Sequence, residues 1–231
     1  MTKHVLIVLT STDKIPSTGR ATGWYLTELA HPYEILRENH VLVTLASPRG
    51  GEAPLDPNSV EASSEDKEAY AFLTSKAGLW ANTIPLSVID PLEAARDYDA
   101  IFYPGGHGPM YDLATNEESI ELARAFAVAG KPIAAVCHGP AAFLNVTLPN
   151  GKHLLDGRTV TAFSNAEEEA IGALKEVLFH LETELSKVSG QYVKADQLWG
   201  EKVVTDGNII TGQNPASSKA IGKALVKALG L

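Results

Sequence analysis

The sequence predicts an α/β protein: a three-layer sandwich in which helices cover both faces of a mostly parallel central sheet. Three observations carry that expectation. Short β-rich runs alternate with longer helical patterns; several runs are continuously apolar, as strands buried on both faces are; and the order strand, helix, strand suits an open sheet wrapped by helices. With 231 residues, 45% of them hydrophobic, the chain can bury a substantial core.

Taken in order, the strand candidates are HVLIVLTS at 4–11, HVLVTLASP at 40–48, YDAIFYPGG at 98–106, KPIAAVC at 131–137, RTVTAFS at 158–164 and NIITGQN at 208–214. Helical patterns fall between or after them at 22–38, 117–129, 139–146, 171–186 and 216–229. The segment at 49–90 breaks the alternation with a turn-rich opening and one or two short helices. It is expected to be a lid-like elaboration over the sheet of a single domain spanning 1–231.

Composition narrows the partners. The 19 basic and 28 acidic residues give a net charge of -9, without the basic clusters that neutralise phosphate backbones or anionic lipid, so neither nucleic acid nor a membrane is expected. No stretch approaches the roughly 20 apolar residues of a membrane span. The apolar run near the start is short for a secretory signal, and a single cysteine cannot form an internal disulfide. A cytoplasmic protein is expected.

That cysteine stands in GKPIAAVCHGPAAFL. With PIAAVC as a strand and the following residues as a helix, Cys137 lies at a strand's carboxyl end, where open α/β sheets place their ligands. Ala135 and Gly139 are small enough for a sharp turn, and Pro140 suits a first helical turn because it has no N–H to orphan. The arrangement is similar to a nucleophile elbow with sulfur in place of the hydroxyl. A thiol facing a helix amino terminus is expected to favour the thiolate. His138 is a candidate base or a solvent-facing helix start. In the second glycine turn, YPGGHGPM, Gly105 and Gly106 are candidate oxyanion-hole donors, and His107 is a candidate substrate contact or a backbone-supported turn position. This turn lacks the full dinucleotide-binding glycine spacing. His31 and Glu34 read as a surface pair and not as a metal site, and Trp199 as a core or interface residue.

Together AVCHGPAAFL, YPGGHG and TGQNPASS resemble the ThiJ/PfpI superfamily, whose flavodoxin-like fold is similar to class I glutamine amidotransferases. TGWYLTELAHPYEIL and SPRGGEAPLDPNS resemble its glyoxalase III and heat-shock chaperone branch. The resemblance implies that Cys137 is the nucleophile, His138 its neighbour, and Glu28 the acid against the thiol. A carboxyl packed beside a thiolate has its pKa raised by burial and like charge, so it can stay protonated and donate a hydrogen bond. The third acid aligns as Glu168, with Glu167 one residue away as its competitor; its implied role is to orient His138.

The implied reaction converts methylglyoxal and related 2-oxoaldehydes to lactate or other 2-hydroxy acids through a cysteine hemithioacetal. It is an internal redox change plus hydration, so no cofactor, metal or external thiol is expected. The resemblance also implies self-association, and a homodimer is expected. The alternatives are a cysteine-dependent amidase or peptidase, and a holding chaperone or redox stress protein acting on unfolded clients.

Overall fold

The computed structural model describes residues 2–231. The chain runs β1 (His4–Val8), α1 (Leu26–Glu38), β2 (Leu42–Ser47), α2 (Pro57–Ala62), α3 (Lys67–Ser75), α4 (Ala77–Ala81), β3 (Ile84–Pro85), α5 (Pro91–Asp97) and β4 (Ala100–Tyr103). It continues through α6 (Glu117–Val128), β5 (Ile133–Val136), β6 (Thr159–Val160), α7 (Asn165–Ala170), α8 (Leu181–Val188), β7 (Gln191–Tyr192), β8 (Val203–Asp206), β9 (Ile209–Gly212) and α9 (Ser218–Ala228). Seven strands form the central sheet in the order β3-β2-β1-β4-β5-β9-β8, all parallel except the edge strand β8, which pairs antiparallel with β9. The fold class read from the sequence is the one observed.

Alternation along the strands divides the core between the two faces. Leu6, Val8, Ile101, Tyr103, Ile133 and Ala135 point to the layer containing α5, α6 and α8. Their neighbours Val5, Ile7, Phe102, Ala134 and Val136 point to the layer of α1, α3 and α9. A period of two sends successive side chains to opposite faces, so a strand covered on both sides must be apolar throughout. Short polar side chains set the helix starts: Asp90 accepts from Leu92 and Glu93 N–H at α5, and Asn116 from Ser119 N–H at α6.

Three expectations are corrected. The run 158–164 does not join the central sheet; Thr159–Val160 pairs with β7 in a separate two-stranded sheet, because the β8–β9 hairpin occupies that edge and the Asp206 carboxylate holds Thr159 N–H and Arg158. The helix expected at 139–146 is a 3-10 segment over Gly139–Phe143. The helix expected at 171–186 is interrupted: α7 ends before Gly172, whose φ of 72° lies in the left-handed region, and α8 begins only at Leu181.

The segment 49–90 also does more than lie over the sheet. It supplies edge strand β3, and it places Phe72 and Trp80 in the core, where Trp80 meets Trp24 edge to face at 5.2 Å. Only its α2 region reaches the cavity described below. Among the described residues no helix is long and apolar enough to cross a membrane.

Candidate active site

From β1 the chain turns to β2 on one side, and it later returns to β4 on the other; such a reversal of strand order opens a crevice at the strands' carboxyl ends. The loop after β4 carries Gly105, Gly106 and His107, and the turn after β5 carries Cys137 and His138. Cys137 has φ 60°, a left-handed backbone for a residue with a Cβ. Such a conformation costs on the order of 1–3 kcal/mol and persists only where its surroundings impose it. Here Cys137 N–H donates to Gly212 O at 2.9 Å, and its carbonyl accepts from Phe163 N–H at 2.9 Å. The turn is therefore clamped from β9 on one side and from the start of α7 on the other.

Two carboxyls flank this turn in opposite electrostatic settings. Glu28, in the first turn of α1, is fully buried, and its Oε2 accepts the Gly105 N–H at 2.8 Å. Burial pushes its pKa up to about 8, against the lowering effect of contacts with Cys137 and Gly105. Its Oε1 is buried with no hydrogen-bond partner among the described residues. At neutral pH Glu28 is therefore an acid whose hydroxyl is free to donate. Glu168, in α7, accepts from His107 Nε2 and His138 Nε2, both at 2.7 Å. Burial alone would raise its proton affinity, but the two imidazoles outweigh burial and hold it well below the usual carboxylate range.

His138 Nδ1 lies 3.4 Å from Cys137 Sγ. Burial lowers its pKa, and the neighbouring His107 lowers it further, so the ring is neutral and Nδ1 faces the thiol as an acceptor. The ring is sandwiched between His107 at 4.2 Å and Phe163 at 4.6 Å between centroids. The expectation of a resting thiolate is corrected: burial first, and the Glu28 charge second, push the Cys137 thiol well above its ordinary value. The 3-10 segment that follows is too short to reverse this. The thiol keeps its proton at rest, with His138 Nδ1 the acceptor beside it.

Gly105 is also corrected. Its N–H is committed to Glu28, so it positions the acid and does not donate to an oxyanion. A Cβ there would stand 2.7 Å from Val136 O and 2.8 Å from Cys137 Cβ, so only glycine allows the two loops to meet. Gly106 N–H faces the sulfur and lines the cavity, and remains the candidate donor.

The cavity over these groups has a volume of about 340 Å³ and is walled by Tyr25, Asp56, Asn58, His107, Phe163 and Trp199 around Cys137 and His138. Trp199, expected in a core or interface, is 42% exposed at the cavity mouth and contacts Phe163 at 5.8 Å. Tyr25, Asp56 and Phe163 were not singled out from the sequence. Tyr25, three residues before Glu28 at the start of the same helix, had a signal in that spacing. Asp56 and Phe163 reach the site only through folding. His31 is buried and pairs with Asp66 at 2.9 Å, not with Glu34.

Both candidate third acids have defined places. Glu167 closes a capping box with Ser164 and accepts from Asn214 Nδ2 at 2.7 Å, which ties α7 to the segment leading into α9. Glu168 faces the histidines. Glu168→Gln is expected to slow alkylation of Cys137 by iodoacetamide about 10²-fold, because an amide imposes the wrong tautomer on His138. Glu167→Gln is expected to leave that rate near wild type and to cost about 1 kcal/mol of stability through the weakened cap. Equal effects of the two variants would contradict this division. His107, His138 and Glu168 also present ligand atoms within 4.8 Å of one another, the one group among the described residues with metal-ligand spacing.

The profile of the DJ-1/PfpI family matches residues 21–228. The chain belongs to the DJ-1/PfpI family. Within the family it is 31% identical to Glyoxalase 3 of Candida albicans, over 97% of each chain. It is 30% identical to the glutathione-independent glyoxalase HSP31 of Saccharomyces cerevisiae, over 98% of each. In structure it matches the Rapid Encystment Protein 24 KDa of Francisella tularensis with a TM-score of 0.90 at 35% identity, covering 99% of both chains.

Proposed function

We propose that this protein is a glutathione-independent glyoxalase that converts methylglyoxal and related small 2-oxoaldehydes to 2-hydroxy acids. The observation that carries the reading is the buried Cys137 thiol held between a neutral imidazole acceptor and a protonated carboxyl at the floor of a small cavity. The two relatives named glyoxalases align over nearly the whole chain and support it.

In this reading Cys137 Sγ bonds to the aldehyde carbon while His138 Nδ1 takes the thiol proton, so the nucleophile is unmasked only when substrate is present. In this reading the carbonyl electron pair moves to oxygen, where Gly106 N–H and the Glu28 hydroxyl stabilise the charge. The hemithioacetal then loses the proton on C1 to a base on the cavity wall, passes through an enediol, and regains a proton at C2. A thioester of the 2-hydroxy acid results. Water cleaves it, releasing the acid and restoring the thiol. Carbon 1 rises from aldehyde to acid level as carbon 2 falls from ketone to alcohol, so the redox change is internal.

The test is lactate formation from methylglyoxal without added thiol. The unaltered protein is expected to form it, and Cys137→Ala to give none above the uncatalysed blank. Full activity in Cys137→Ala, or none in the unaltered protein, would overturn the reading.

A further inference from the structure

The proposed reaction needs two bases that act at different moments: one for the thiol proton, and one for the proton on C1 of the hemithioacetal. One carboxylate in this site orients two imidazoles. An ionised carboxylate only accepts hydrogen bonds, so His107 Nε2 and His138 Nε2, each 2.7 Å from a different oxygen of Glu168, must both carry hydrogen. When each ring is neutral, its Nδ1 is then a bare lone pair. That of His138 is spent on the thiol at 3.4 Å. That of His107 makes no hydrogen bond to any described residue, and His107 lines the cavity.

The geometry points to His107 as a second catalytic base, which takes the C1 proton of the Cys137 hemithioacetal at Nδ1 and returns it to C2, while His138 serves the thiol alone. This assignment rests on the glyoxalase reading. In the first half of the step the C1–H bond breaks and its proton goes to His107 Nδ1. The electron pair becomes the C1=C2 bond, and the C2 carbonyl pair moves to its oxygen, which takes the Glu28 proton. In the second half the C1 hydroxyl gives its proton back to Glu28 as C1=O forms, and the C1=C2 pair takes the proton from His107 at C2. Nothing outside the substrate is oxidised or reduced.

The sharing of Glu168 also sets the order of events. With centroids 4.2 Å apart, the two rings have one anion between them, so a second imidazolium would face an unbalanced like charge. While His138 holds the thiol proton, a proton taken by His107 would make that second cation. When the C1 alkoxide has taken up the thiol proton and His138 is neutral again, His107 can take the C1 proton without that repulsion. The carboxylate thus separates in time two proton transfers that share one small cavity.

Gln can keep a hydrogen-bond donor toward Glu168 and has no Nδ1. His107→Gln is expected to lower kcat about 10²-fold or more while the iodoacetamide rate at Cys137 stays within about threefold of wild type. Its primary isotope effect with methylglyoxal deuterated at C1 should exceed that of the unaltered protein, because C1 proton transfer becomes the slow step. His107→Ala, with space left in the cavity, should regain activity on addition of imidazole. A kcat within about threefold of wild type would overturn the assignment while leaving the glyoxalase reading intact, and so would loss of kcat and of alkylation in parallel without imidazole rescue. No lactate from the unaltered protein would overturn the glyoxalase reading itself, and the assignment with it.

Discussion

Glu28→Gln is expected to abolish most catalysis while making the fold more stable. The folded protein holds the Glu28 proton up to about pH 8, whereas the unfolded chain releases it near the ordinary value of 4.5. Between these values the folded state carries a proton that the unfolded state does not, so stability falls as pH rises. Below pH 4.5 both states are protonated and the group contributes no slope; above about pH 8 both are ionised and the loss is complete. At about 1.4 kcal/mol per pH unit, the penalty at pH 7 is on the order of 3 kcal/mol. Glutamine has the same shape and no proton to lose.

Denaturant unfolding of both proteins should therefore give similar stabilities near pH 4.5 and a gap that widens in favour of Glu28→Gln toward pH 8. A gap that stays constant with pH would show that burial does not raise Glu28. Lactate formation should fall about 10²-fold or more in the same variant, since the amide cannot exchange a proton with the substrate oxygens. Gain of stability with loss of activity is what a strained, functional carboxyl predicts; loss of both would mark Glu28 as a packing residue.

Gly139→Ala is expected to damage the fold and the thiol turn together. A Cβ at 139 would stand 2.1 Å from Tyr103 O, a backbone atom of a central strand that cannot swing aside. The 3-10 segment after the thiol would have to lift off β4. The expected cost is about 3 kcal/mol or more, which in a chain of this size lowers Tm by about 6–12 °C. Because the clash lies two residues from Cys137, the alkylation rate should change along with stability. A variant that melts within a degree or two of wild type would mean that the two loops are not held as closely as described.

Much of the architecture was legible because it follows from periodicity. The apolar runs at 4–11, 98–106 and 131–137 read as doubly buried strands, and they form the centre of the sheet. The run at 158–164 has the same β-rich character, yet its place was decided by competition for a sheet edge, which local pattern does not encode. In the site, the turn residues around Cys137 announced themselves by size and spacing. The protonation of the thiol did not, since it depends first on burial under distant segments and second on a glutamate 109 positions away in the chain. Likewise, Gly105 looked free to donate until α1 placed a carboxyl in front of it, and Glu167 could be told from Glu168 only by which way each side chain leaves a six-residue helix.

The three indoles differ in what surrounds them. Trp24 and Trp80 are enclosed in the core, where Trp24 Nε1–H is held by Ala53 O. Trp199 stands half in water at the cavity mouth, over Phe163, which lies in turn on the imidazole of His138. A wet indole emits further to the red than an enclosed one. Emission collected at the red edge of the spectrum is thus weighted toward Trp199, and the filling and emptying of the cavity can be watched without attaching a label.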